Sequence, residues 1–262
     1  MESFIKEIIQ KAGSQIMDFS ENPEIIQTKE KATDIVTKAD IASQEIIVNA
    51  IQNKYPDHGI VSEEIEEQNT DAEYVWYIDP LDGTKNFATK TWLFGINIAL
   101  AKQGKMHYAA IYLPATKELC YAEREKGAYL SGKKIQCSKN SDWRTTYGLG
   151  QPVYTKAYAE FQKRLSERSK GTAWINALGP PSVAAIWVAD GRRDWYIGPS
   201  NRSYDYAAPS LIAKEAGCKV SNFRGSEWKP GDTGIILANN YFFPKLLEMV
   251  RASFEGSAQP NN

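Results

Sequence analysis

Tyr74-Val75-Trp76-Tyr77-Ile78-Asp79-Pro80-Leu81-Asp82-Gly83-Thr84-Lys85-Asn86-Phe87 sets an aromatic and β-branched run directly against two closely spaced acids and a glycine. Residues 74–78 have the composition of a buried strand. Pro80 has no N–H and a fixed φ, which predicts that the strand stops there. Asp79 and Asp82 then flank Pro80-Leu81. Two carboxylates at the mouth of a strand repel each other, and a cation between them relieves the repulsion. Gly83 permits a tight turn, and residues 84–86 can open a helix whose first N–H groups, on Gly83 and Thr84, would face an anion. A hard cation beside an anion pocket suggests phosphate chemistry on magnesium. Asp82-Gly83 taken alone reads equally well as an ordinary turn closing a strand.

The full string is more specific than its parts. Asp79-Pro80-Leu81-Asp82-Gly83-Thr84 resembles the signature of the inositol monophosphatase family of magnesium-dependent, lithium-sensitive phosphatases. That superfamily also holds fructose-1,6-bisphosphatases and 3'-phosphoadenosine-5'-phosphate phosphatases. The resemblance implies a layered αβαβα sandwich, a mixed α+β and α/β fold of the sugar phosphatase type, and a homodimer.

The 262 residues, 42% of them hydrophobic, suit one compact unit or two closely joined subdomains with ample core. A net charge of −1 gives no basic excess for nucleic acid. No apolar run approaches the roughly 20 residues of a membrane span. The first residues, Met1-Glu2-Ser3-Phe4-Ile5-Lys6-Glu7, carry acids and lack the apolar core of a signal peptide. Cys120, Cys137 and Cys218 are an odd, scattered set that reads as reduced thiols in a cytoplasmic protein; with only His58 and His107 beside them they make a poor zinc set.

Apolar positions at Phe4, Ile5, Ile8, Ile9, Ala12, Ile16 and Met17 predict an amphipathic first helix ending near Asn22-Pro23. Asp40 is placed to cap a second helix through Ile41, Ile46, Ile47, Ala50 and Ile51. Asp34-Ile35-Val36-Thr37 followed by Asp40 also resembles the family's second block, in which the acid matching Asp40 hydrogen-bonds the threonine matching Thr84; Lys29, Lys31 and Asp34 read as peripheral. A short strand, 60–62, delivers Glu63 and Glu64. Adjacent acids are ordinarily surface charge, and Glu64, Glu66 and Glu67 fit that description. Ser62-Glu63-Glu64 resembles the family's Gly-Glu-Glu block, whose first Glu is a metal ligand, so the resemblance gives Glu63 to the metal.

Residues 91–101 and three turn-separated runs, 108–113, 118–123 and 128–130, predict an antiparallel meander serving as scaffold. The composition turns polar over 138–144. That places a subdomain boundary at 138/139, with an N-terminal α+β unit of 1–138 and a C-terminal α/β unit of 139–262. In the second unit, strands at 146–149, 174–175, 194–197 and 234–240 alternate with helices at 157–168 and from Pro180-Pro181-Ser182 onward. Asp205, in Ser203-Tyr204-Asp205-Tyr206-Ala207-Ala208-Pro209, begins a further helix and could simply cap it. The string also resembles the family's Trp-Asp-x-Ala-Ala-Gly block, whose Asp is the remaining metal ligand. Residues 256–262 read as a frayed tail.

By this resemblance Glu63, Asp79 and the Leu81 carbonyl hold one Mg²⁺, and Asp79 bridges to a second that Asp82 and Asp205 complete. Two or three ions are expected in all, the first two about 3.5–4 Å apart. All these donors are hard oxygens, which selects Mg²⁺ over zinc. Thr84, oriented by Asp40 and with Glu63 nearby, would position a water and accept its proton, while Gly83 and Thr84 N–H groups hold the phosphate. Lys85, Ser182 and Arg202 are further candidates for the phosphate or substrate. Family members that act on inositol phosphate carry a hydroxyl-binding acid at the position of Gly198, so the alcohol pocket here is altered. Inositol phosphate, a nucleotide 3'-phosphate and a sugar bisphosphate compete as the small-molecule ester, and a regulatory binding protein on the same fold is the alternative. Arg202 either faces the substrate, points to solvent or pairs with an acid such as Asp194.

Overall fold

The structure, a computed structural model, describes residues 1–28, 35–151 and 155–254. Lys29, Lys31 and Asp34 and the tail 256–262 lie outside the described residues. The chain builds five layers. Helices α1 (Glu2–Asp18) and α2 (Lys38–Lys54) form the first, beside a small hairpin of β1 (Ile25–Thr28) and β2 (Ile35–Thr37). The second is a seven-stranded sheet in the order β3 (Gly59–Ser62), β4 (Tyr74–Asp82), β5 (Gly95–Lys102), β6 (Lys105–Leu113), β7 (Glu118–Glu123), β8 (Gly127–Leu130) and β9 (Lys133–Lys134). Only β3 and β4 in it run parallel.

Side-chain alternation in the middle strands decides what each face can receive. On β5, Ile96, Ile98 and Leu100 pack toward α1 and α2, while Ala99 and Ala101 face the opposite side. The small residues let helices approach closely there. Those helices are α5 (Pro181–Ala189) and α6 (Ser203–Glu215), which make the central layer. Eight of α5's nine residues are buried, as a helix sandwiched between two sheets requires.

Beyond them lies a five-stranded sheet, ordered β11 (Trp174–Asn176), β10 (Tyr147–Gly150), β12 (Trp195–Gly198), β14 (Ile235–Ala238) and β13 (Lys219–Ser221). Helices α4 (Lys156–Ser169) and α7 (Phe243–Phe254) cover its outer face around Phe161, Trp195 and Phe242. This is the layered αβαβα sandwich expected. The change of sheet falls between Lys134 and Tyr147, across the polar stretch of 138–144. The first helix ends at Asp18, earlier than Asn22-Pro23 suggested.

One expectation is corrected. Pro80 does not end the strand: β4 runs on to Asp82. Pairing with β5 matches Asp79 to Asn97 and then Asp82 to Gly95, so the register slips between the two acids. Pairing with β3 already ends at Ile78. A bulge beyond the end of the neighbouring strand is where a residue without an N–H is tolerated.

Candidate active site

Three separated segments converge on one cavity of about 350 Å³, lined by Glu63, Asp79, Leu81, Asp82, Asp205 and Arg202 among others. Glu63 emerges from the end of β3. Gln44 on α2 fixes that exit, its Oε1 accepting from Ser62 Oγ at 2.7 Å and from the Glu64 N–H at 3.1 Å. Asp79 and Asp82 come from the bulged end of β4, where Ser43 Oγ donates to the Pro80 carbonyl at 2.7 Å and Leu81 N–H to Asp79 Oδ1 at 3.2 Å. Asp205 lies in the first turn of α6.

Gly83 follows β4 with φ +94°, a conformation that favours glycine, and a Cβ there would stand 2.6 Å from Pro180 Cγ. It leads into the short helix α3 (Thr84–Ala88). Thr84 Oγ1 lies 2.9 Å from Asp40 Oδ1 and 3.0 Å from the Leu81 carbonyl, and its single proton serves one of them at a time. Asp40 itself is not the cap of α2. Thr37 is, and Asp40 sits three residues on, accepting from the Thr37 N–H at 2.8 Å and from its hydroxyl in a capping box.

Burial is the largest influence on the carboxyls of Asp40, Asp79, Asp82 and Asp205. It pushes the Asp79 carboxyl well up, helped by the charges of Asp82, Glu63 and Asp205. Asp82 rises to about 6, burial outweighing hydrogen bonds from Ser182 and Asn97. Asp205 rises to about 7 through burial and the Asp82 charge, and Asp40 to about 6 through burial. Carboxyls crowded out of water in this way favour a cation among them. The donors are oxygens throughout, with no His or Cys lining the cavity, and fit a hard divalent ion. No three His, Cys, Asp or Glu side chains among the described residues draw together into a ready-made cage. Magnesium sites commonly use one or two carboxylates and leave the rest of the sphere to water and phosphate.

Gly83, Thr84, Lys85 and Arg202 line the same cavity. Ser182 does not. Its side chain is fully buried below the site, and its contribution is the backbone N–H, which donates to Asp82 Oδ2 at 2.6 Å from the first turn of α5. Arg202 neither points away nor reaches Asp194; its Nη1 lies 3.1 Å from Glu63 Oε1. Asp194 is taken up elsewhere by Asn140, Thr146 and the Tyr147 N–H. Gly198 is closed to any side chain, because a Cβ there would fall 2.3 Å from the Tyr206 hydroxyl and 2.5 Å from that of Tyr196.

Residues beyond those expected also shape the site. Asn97 stands opposite Asp79 in the sheet register, a lone amide among the apolar residues 95–101 of β5, which is the one signal that could have marked it. Asn86 Nδ2 ties the Leu93 and Leu178 carbonyls together at 2.7 and 3.0 Å, and Gln151 joins the lining; no local pattern distinguishes either.

The chain matches the model of the inositol monophosphatase family over residues 1–256. It is 30% identical over 253 residues to a fructose-1,6-bisphosphatase/inositol-1-monophosphatase of Thermotoga maritima, covering 96% of each chain. It is 33% identical over 247 residues to the Nus factor SuhB of Escherichia coli K12, covering 93% of this chain and 91% of that one. The solved structure of a Thermotoga maritima IMPase superposes with a TM-score of 0.88 at 29% identity, over 98% of this chain and 99% of the other.

Proposed function

The chain belongs to the inositol monophosphatase family, and on that premise we propose that it is a magnesium-dependent phosphomonoesterase acting on a small phosphorylated alcohol. The observation that carries this reading is the meeting of Glu63, Asp79, Asp82 and Asp205 with the Leu81 residue in one cavity. Glu63, Asp79 and the Leu81 carbonyl would hold one ion, and Asp79, Asp82 and Asp205 a second. Bound Mg²⁺, two or three ions by family resemblance, supplies Lewis-acid polarisation of the phosphoryl group and a nucleophile at neutral pH.

The chain's own groups do the rest. Thr84 Oγ1, donating to Asp40, keeps lone pairs for the attacking water and can take its proton while releasing its own to the carboxylate. The Gly83 and Thr84 N–H groups and Lys85 hold the phosphate. Asp82 is kept in place by the N-terminus of α5 through the Ser182 N–H.

Substrate choice follows from Gly198 and Arg202. The hydroxyls of Tyr196 and Tyr206 fill the space beyond Gly198, so no acid can stand there to bind a polyol. Lys85 and Arg202 add positive charge to the lining. Esters with a second anionic group, such as a 3',5'-nucleoside bisphosphate or a sugar bisphosphate, should therefore do better than inositol 1-phosphate. The same reading makes the protein a cytoplasmic homodimer without a nucleic-acid partner, divided into subdomains at 138/139. A regulatory binding protein on this fold is the second reading, favoured by the Nus factor name of a relative.

Phosphate release measured with Mg²⁺ over inositol 1-phosphate, a 3',5'-nucleoside bisphosphate and fructose 1,6-bisphosphate tests both levels. Turnover of the bisphosphates with higher kcat/KM is the expected result. A clear preference for the inositol ester overturns the substrate assignment, and no release from any ester overturns the enzyme.

A further inference from the structure

Arg202 occupies an unusual position for a substrate-reading residue, because its guanidinium rests on a carboxylate that the proposed metal needs. Nη1 lies 3.1 Å from Glu63 Oε1, with the Arg202 side chain 43% exposed and that of Glu63 only 11%. The backbone beneath it is pinned. Arg202 N–H donates to Ser200 Oγ at 3.1 Å, Ser200 N–H to the Tyr206 hydroxyl at 2.9 Å, and Gly234 N–H to the Ser200 carbonyl at 2.8 Å. A fixed base with a long, half-exposed side chain at the cavity rim can move its charge without moving the loop.

We propose that Arg202 and a divalent cation compete for Glu63, and that loading the metal turns the guanidinium toward a second anionic group on the substrate. The proposal rests on the magnesium phosphatase reading and adds to it a coupling between metal uptake and substrate choice. One carboxylate oxygen cannot keep a guanidinium at hydrogen-bond distance and a divalent ion at about 2.0–2.1 Å without setting two cations against each other. A partly exposed ion pair is weak, so the divalent ion prevails. The pairing still lowers the apparent metal affinity by the fraction of time that Glu63 is held. Once displaced, Arg202 remains in the lining with Lys85, where a fork of donors suits a phosphate or carboxylate. A plain structural staple between the β3 exit and the α6 loop would have the opposite consequence, since cutting it would loosen Glu63 and weaken the metal.

Isothermal calorimetry of Mg²⁺ binding to the full chain in phosphate-free buffer decides between the two. Arg202→Gln should bind Mg²⁺ about two- to fivefold more tightly than wild type, the worth of an exposed ion pair. In a Glu63→Gln background the same substitution should change nothing, because the shared carboxylate is gone. KM for a 3',5'-nucleoside bisphosphate should rise in Arg202→Gln while KM for phenyl phosphate, which has no second anion, stays put. Unchanged or weaker Mg²⁺ binding overturns the competition, as does an equal gain in the Glu63→Gln background. KM values that move together overturn the release to substrate. All three leave the phosphatase reading standing, whereas a wild type that takes up no Mg²⁺ overturns both.

Discussion

Asp79 is only 2% exposed and stands among four other acids, Asp82, Glu63, Asp205 and Asp40. Its ionised form is therefore held at a cost that a cation offsets. Asp79→Asn separates the two effects. Without metal, the amide removes a buried charge, and the melting temperature in EDTA should rise. With Mg²⁺, kcat should fall by several orders of magnitude, because one missing carboxylate weakens both ions. Retention of more than about a tenth of wild-type kcat, a barrier difference of only about 1.4 kcal/mol, would remove Asp79 from the mechanism. The acids of the site were legible because a motif names them individually. Arg202 was legible as a residue of the cavity but not as a partner of Glu63, since the two are 139 positions apart and nothing local relates them. The same holds for Cys137 and Cys218, which read as scattered thiols. The fold sets Cys137 beside a second cavity of about 450 Å³, its amide on the Ala216 carbonyl at 2.9 Å. A hydrogen bond from Cys218 lowers the Cys137 thiol to about 7 and leaves Cys218 raised. Iodoacetamide labelling of Cys137 should accelerate through about pH 7, below the ordinary thiol range near 8.5; a midpoint at the ordinary value would contradict that pairing.

At the scale of the element, β4 carries the site because it does not stop at Pro80. A strand that ended there would leave Asp82 in a loose turn, whereas the bulge keeps both acids 2–7% exposed and paired to β5. Sequence reading missed this because a proline forbids one hydrogen bond, and only the neighbouring strands reveal whether that bond was needed. The bulge is held from α2 by Ser43 Oγ on the Pro80 carbonyl. Ser43→Ala leaves that buried carbonyl without its donor, a loss of about 1 kcal/mol. That corresponds to a melting temperature lower by about 2–4 °C for a chain of this size, with Mg²⁺ affinity reduced as the Asp79–Asp82 spacing loosens. A variant with unaltered stability and metal affinity would show that the bulge holds itself. The long periodic elements, α1, α2 and the meander, were legible from side-chain spacing alone. The short strands β1, β2 and β13 were not; β1, for one, is exposed along its whole length and has no buried face to read.

Across the whole molecule, the five layers explain why acids from such distant parts of the chain meet. β3 and β4 supply Glu63, Asp79 and Asp82 from the edge of one sheet, and the first turns of α5 and α6 in the central layer bring the Ser182 N–H and Asp205 to them. The alternation on β5 is what admits that layer, with alanines toward α5 and α6 and larger residues toward α1 and α2. The layered class was legible from the resemblance and from the succession of strands and helices. The closing of the Gly198 position by two tyrosine hydroxyls was not, because it depends on how β12 and α6 face each other. The account stands on a cation gathered by these acids and used for phosphate transfer to water. Its most direct test is the rate of phosphate release from a 3',5'-nucleoside bisphosphate as Mg²⁺ is added to enzyme stripped with EDTA. No turnover in EDTA and full recovery with Mg²⁺ are the expected results; turnover undiminished in EDTA would contradict a cation-dependent reaction.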